Sequence, residues 1–215
     1  MNASHRLEKL DRAAKKRFAK LRSRVSHLRV PINLEEDIQL AWTVIEARNL
    51  WAEFLRAYYL SGAISTQTRS SVLVYFQSAK FVNRGTALAF AIQTVKDPKF
   101  NQKHVTRYHE PPWHSVQKFL KVQTKVGASN LNQIQSALSG ASTFDGLFDK
   151  LRNFYAHRCD STFGEAAEVG VRLGLSSKPE LRASRILCSR LPKRPQNIIT
   201  DWLDDMVNVV DALCS

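Results

Sequence analysis

Apolar side chains return every three or four residues along most of this chain, a period that gathers them on one face of a helix but on no single face of a strand. Leu7, Leu10, Ala14, Phe18, Leu21, Val25 and Leu28 make the first stripe and predict an amphipathic helix over 1–30 that ends near Pro31. Asn33 with Glu36 three residues later has the form of a capping box, and Glu35 and Asp37 add negative charge to the first turn. A second helix therefore starts there. Its stripe is Ile38, Trp42, Ile45, Leu50, Phe54, Leu55 and Tyr58, and Ser61 and Gly62 end it after about 27 residues, or about 40 Å.

Residues 68–95 suit one or two further helices; the β-branched and aromatic run at 72–76 also permits a strand, and helix is preferred. A polar connection covers 96–112. Helices follow at 113–126 and 131–138, with Gly127 and Gly140 as stops. Ser142 or Thr143 caps the next helix, with Asp145 in its first turn, and it runs to His157 along Phe144, Leu147, Phe148, Leu151, Phe154 and Tyr155. Residues 160–194 read as less regular, carrying three glycines and several basic residues. The last helix, 197–213, aligns Ile198, Trp202, Leu203, Met206, Val209, Val210 and Leu213. The expected fold is all-α: a helical bundle of long amphipathic helices, with a basic N-terminal helix at 1–30 and a helical domain at 31–215.

Charge is the second constraint. Lys and Arg number 32 against 19 Asp and Glu, a net of +13, which points to a polyanionic partner. Ten of the basic residues fall within residues 1–30 (Arg6, Lys9, Arg12, Lys15, Lys16, Arg17, Lys20, Arg22, Arg24 and Arg29) against Glu8 and Asp11 alone. This face is either solvated or phosphate-binding. In the second case Lys15, Lys16, Arg17, Lys20, Arg22 and Arg24 are the candidate phosphate contacts. Trp42, Trp51, Tyr58 and Tyr59 fit core or interface packing better than a platform for stacked bases.

Three cysteines without a CxxC pair give neither a disulfide framework nor a cysteine zinc site, which fits a reducing cytoplasm. No run approaches about 18 apolar residues and no apolar leader opens the chain, so a soluble protein without a membrane partner is expected. His104, His109, Glu110 and His114 cluster in sequence. HEPPWH is not HExxH, however, and its proline pair prevents the helix that would align two imidazoles. No metal site is assigned, and the lack of P-loop, GxGxxG and GxSxG patterns leaves no cofactor to expect.

The segment LRNFYAHR carries the chemistry. At 100° per residue the apolar residues of this helix cluster around Leu151, whereas Asn153 and His157, one turn apart, point nearly opposite, with Arg152 on the flank. An imidazole that passes protons near neutral pH, a guanidinium that forks onto phosphate and an orienting carboxamide can gather around one phosphodiester. Here the chain resembles the HEPN superfamily, whose ribonucleases carry Arg, a polar residue and then His as R-x4-6-H. Arg152-Asn153-Phe154-Tyr155-Ala156-His157 has the four-residue spacing and the favoured Asn directly after Arg. The bare spacing also occurs at Arg22 to His27 and Arg107 to His114. Only the third match has the Asn and a place late on an amphipathic helix. The resemblance covers about residues 33–213 in architecture and six residues in motif.

The resemblance implies a homodimer in which two motifs share a cleft, and a metal-independent endoribonuclease leaving 2′,3′-cyclic phosphate and 5′-hydroxyl ends. In that role His157 moves the proton, Arg152 stabilises transition-state charge and Asn153 positions the scissile group, with Arg158 as a further RNA contact. It further implies a toxin or antiviral-defence effector, with an antitoxin or defence-system protein as an additional partner. One family branch carries Tyr two residues after the His as an adenylylation target. Cys159 stands there in this chain, which puts that control in doubt. Two other readings stay open: a catalytically silent RNA-binding or assembly module, and a DNA-binding helical protein.

Overall fold

The structure, a computed structural model, describes residues 6–77, 81, 83–95, 109–179 and 181–215. Its helices are α1 (Arg6–Val25), α2 (Leu34–Ala63), α3 (Arg84–Val95), α4 (Val116–Val126), α5 (Leu131–Ser139), α6 (Leu147–His157), α7 (Asp160–Arg172), α8 (Ala183–Cys188) and α9 (Ile198–Cys214). Two-residue strands β1 (Thr66–Gln67) and β2 (Leu73–Val74) make the one small sheet among the described residues. The chain is an all-α helical bundle. No helix among the described residues is long and apolar enough to cross a membrane. Two compact units divide it: residues up to Lys15, with 51–141 and 208–215, form one, and 16–50 with 142–207 the other.

In the first unit, aromatic side chains of α2 supply much of the core. Trp51, Phe54, Tyr58 and Tyr59 are buried, and their polar atoms are satisfied: Tyr59 donates to the Ala87 carbonyl at 2.7 Å and Trp51 Nε1 to the His114 carbonyl at 3.2 Å. Burial pushes both tyrosine pKa values well up, so the phenols stay protonated, Tyr59 donating and Tyr58 accepting from Asn130 Nδ2 at 2.8 Å. Ser61 and Gly62 do not stop α2. Phe76 lies against Gly62, where an added Cβ would come within 2.9 Å of Cε1, so the glycine is a seat for a ring and not a terminator.

The preferred helix over 68–95 gives way to a hairpin followed by the shorter α3. Thr66 pairs with Val74 and Gln67 with Leu73, while Val74 and Phe76 point inward and Leu73 and Tyr75 outward. That alternation is the period of a strand, and it suits the β-branched and aromatic side chains of this run. α4 follows expectation with a later start. Ser115 caps it by accepting from Lys118 N, and Gly127 closes it in the left-handed region (φ 62°) that glycine adopts without steric cost. Gly140 does not stop α5 cleanly, because a 3-10 turn over Gly140–Thr143 continues from it.

Gln123 of α4 is fully buried, and neither atom of its carboxamide has a hydrogen-bond partner among the described residues. Desolvation without compensation makes this side chain a liability. Gln123→Met keeps its volume and is expected to raise stability by about 1–2 kcal/mol, read as a higher urea midpoint at unchanged slope.

The second unit holds the second half of α1, the first half of α2, and α6 to α8 with most of α9. α1 ends at Val25, earlier than expected. Phe18, Leu21, Val25 and Leu28 are buried as their spacing predicts. The Asn33–Glu36 capping box forms in full: Asn33 N donates to Glu36 Oε2 at 2.8 Å and Glu36 N to Asn33 Oδ1 at 2.9 Å. The buried face of α2 in this unit is Leu40, Ala41, Val44 and Ala47, not the expected Ile38, Trp42 and Ile45. This stretch is apolar on two faces, and the one with the smaller side chains packs. Leu34, Ile38 and Trp42 are left exposed, and Arg24 covers the Trp42 ring at 4.3 Å.

α6 begins later than Ser142 or Thr143. Gly146 (φ 75°) precedes it, and Asp149 rather than Asp145 lies in its first turn. Residues 160–194 are more ordered than expected, since they contain α7 and α8. α7 packs on α6 and on α8, and the bare face of Gly170 meets Leu181 and Ile186. α9 buries its whole predicted stripe. Asn197 anchors its start, accepting from Thr200 N at 3.0 Å and donating to the carbonyls of Val25 and Leu28.

Candidate functional site

α6 is held by its apolar face. Phe148, Leu151 and Tyr155 are buried, with the Phe148 ring 5.7 Å from Trp202. Rotating 100° per residue from Leu151 carries the chain outward, and the structure leaves His157 exposed in the last turn, Arg152 and Asn153 half-buried. Arg152 Nη1 donates to Asn153 Oδ1 at 3.2 Å, so these two side chains form a pair before any ligand arrives. His157 makes no hydrogen bond or ion pair among the described residues, and its imidazole is open to a substrate.

Two partly buried interactions fix this helix, and neither was legible in the sequence. Arg48 of α2 is buried and forms an ion pair with Asp149. Burial lowers the Arg48 pKa and the Asp149 charge opposes that shift, while Arg152 is close enough to lower it further. At the other end Tyr155 donates to Asp37 Oδ1 at 3.1 Å, and Arg158 approaches Asp37 Oδ2 at 3.5 Å. Burial, then the Asp37 charge, pushes the Tyr155 phenol far up, which keeps it a donor. Arg158 terminates α6 with φ 45°, a left-handed conformation that costs a non-glycine residue about 1 kcal/mol and turns the chain sharply into α7.

Cys159, in the position that raised doubt about adenylylation, starts α7. Its backbone N–H donates to Thr162 Oγ1 at 3.2 Å, and its sulfur lies 3.3 Å from Ser161 Oγ and 3.4 Å from Thr162 Oγ1. Hydrogen bonds from Ser161 and Thr162 lower the thiol to about 7, whereas burial pushes Cys188 and Cys214 up to about 12. Iodoacetamide is therefore expected to modify one cysteine per native chain, at a rate that climbs through pH 7 as the Cys159 thiolate forms. Peptide mass mapping identifies it, and uptake at Cys188 or Cys214 at the same pH contradicts the expectation.

The N-terminal basic residues are less available than their sequence implies. Within the first unit Lys15 is paired with Asp11 and Asp211. In the second, Arg17 contacts Glu46 at 2.9 Å, Arg22 contacts Asp204 at 2.7 Å and Gln196 at 2.8 Å, and Arg24 lies on Trp42. Lys16 and Lys20 are exposed and have no ion pair among the described residues. Arg22, the start of a second R-x4-6-H match, is thus engaged internally. Arg107 and His104 lie outside the described residues. Glu110 accepts from Arg56 Nη2 and Trp113 Nε1, each at 2.8 Å, and among the described residues no three His, Cys, Asp or Glu side chains form a metal-holding group.

The chain matches no family model, no curated protein and no solved structure.

Proposed function

We propose that this chain is a metal-independent endoribonuclease of HEPN type, acting in the cytoplasm as a toxin or antiviral-defence effector. The observation that carries this reading is the exposed imidazole of His157 on the helix that also bears the Arg152–Asn153 pair. The ribose 2′-oxygen attacks the adjacent phosphorus and the bond to the 5′-oxygen breaks. One imidazole takes the 2′-hydroxyl proton and a second gives a proton to the leaving oxygen. Arg152 stabilises charge on the phosphorane-like transition state and Asn153 positions the phosphate. A single copy offers one such imidazole, so the reading includes a homodimer that brings two motifs to one linkage, with an antitoxin or defence-system protein as a further partner.

The test is to incubate purified protein with total RNA and map the ends chemically. New 2′,3′-cyclic phosphate and 5′-hydroxyl ends are expected, unaffected by EDTA and absent with His157→Ala. Unchanged cleavage by that variant rules the assignment out. A second reading is a non-catalytic RNA-binding or assembly module. It is favoured by the Arg152 guanidinium already being bonded to Asn153, and it predicts salt-sensitive RNA binding without new 5′-hydroxyl ends.

A further inference from the structure

Beside the motif helix, in the same unit, lies a cleft of about 450 Å³. Its apolar lining comes from Ile32 and Leu34 at the start of α2, Phe154 of α6 and Phe163 of α7. The two rings meet edge to face at 6.1 Å, and Phe163 is 37% exposed, a large cost for a ring that fills no role in the core. Two guanidinium groups belong to the same cleft. Arg158 follows His157 directly and is held only loosely, at 3.5 Å from Asp37; Arg182 is exposed and has no ion pair among the described residues. Among the described residues Asp37 is the one carboxylate in the lining and is already engaged by Tyr155, so the two arginines there leave a positive surplus.

An exposed ring, Phe163, and a half-buried one, Phe154, beside one loosely paired guanidinium group and one with no ion pair among the described residues match the two halves of a nucleotide. A base has a π-face and an apolar edge for Phe163, Phe154 and Leu34, and its phosphate suits the forked donors of Arg158 and Arg182. The volume falls within the range of about 300–1,000 Å³ typical of small-ligand sites, too narrow for a duplex and adequate for one unpaired nucleotide. Phe154 lies within the motif itself and Arg158 follows His157 in the chain, so the cleft adjoins the helix that bears the motif. We infer that this cleft seats one unpaired nucleotide of single-stranded RNA, its base on Phe163 and its phosphate between Arg158 and Arg182. The inference rests on the ribonuclease reading for the identity of the ligand and goes beyond it in naming where a strand is gripped and that the strand is unpaired.

Fluorescence anisotropy with a fluorescein-labelled, mixed-sequence single-stranded RNA tests it, using full-length His157→Ala protein so that the probe survives. Phe163→Ala is expected to weaken binding about tenfold and Phe163→Trp to restore it, because any aromatic face stacks on a base. Arg182→Ala is expected to weaken binding and to reduce the slope of log affinity against log salt by about one. The same RNA as a duplex should compete poorly. Both side chains are exposed, and circular dichroism verifies that each variant folds. Wild-type affinity in Phe163→Ala and Arg182→Ala, or equal binding of duplex, overturns the inference. So does a change in sedimentation with RNA binding intact, which gives the cleft to a second copy of the chain. Failure of the two readings is distinguishable: cleavage by wild type with binding indifferent to both residues removes the cleft alone, whereas cleft-dependent binding without cleavage removes the ribonuclease alone.

Discussion

His157→Ala is expected to lower the rate of RNA cleavage by about 10²–10⁴-fold, the range for loss of a positioned proton-transfer group, with no change in melting temperature. The separation of the two effects follows from the structure. His157 is exposed in the last turn of α6 and bonded to nothing among the described residues, so its truncation creates no cavity and strands no buried partner. Arg152→Ala is a weaker discriminator, because that side chain is half-buried and bonded to Asn153. A mixed-dimer experiment sharpens the result. If base and acid come from two copies, His157→Ala protein in excess should depress wild-type activity beyond simple dilution. Linear dilution contradicts the shared-cleft part of the reading.

The largest expected loss of stability comes from Asp149→Ala. Arg48 has 11% of its side chain exposed and its charge is matched by Asp149, itself 33% exposed. Removing the carboxylate leaves a guanidinium inside the second unit with only the weaker influence of Asp145 to offset its charge. Severing a fully buried pair costs about 3–5 kcal/mol; partial access of water to Asp149 reduces this to about 2–3 kcal/mol. Chemical denaturation should show the loss as a lower midpoint. Arg48→Met combined with Asp149→Leu should recover most of it, because the desolvation cost leaves with the charges. If the double variant is as unstable as Asp149→Ala, the cost lies in packing and not in electrostatics. Arg152 lies near enough for its charge to oppose that of Arg48, an effect that Asp149 offsets.

What could be read in advance was local. The capping box at Asn33 and Glu36, the left-handed stop at Gly127 and the buried stripe of α9 each depend on residues within a few positions of one another. The outward direction of His157 followed from helical rotation alone. Features that depend on distant partners were not legible. Arg48 finds Asp149 101 positions away, and Arg22 finds Asp204 182 positions away, so the basic run at 1–30 that reads as open surface is partly neutralised. α7 escaped notice because Gly164 and Gly170 weaken its helical signal and its first cap is a cysteine. The stripe assigned to the first half of α2 failed for a different reason. With apolar residues on two faces, periodicity alone does not say which face meets a neighbour.

Gly170 shows how distance from a ligand and influence upon it differ. A methyl group there would stand 3.2 Å from Leu181 Cδ1 and 3.3 Å from Ile186, tighter than side chains ordinarily tolerate. α8 can lie flush on α7 because that methyl is missing, and Arg182 and Ser184, at the start of α8, form one wall of the cleft. The aperture is thus gauged by a hydrogen atom on a residue that never lines it, and any chain that filled this position would hold its two walls at a different spacing.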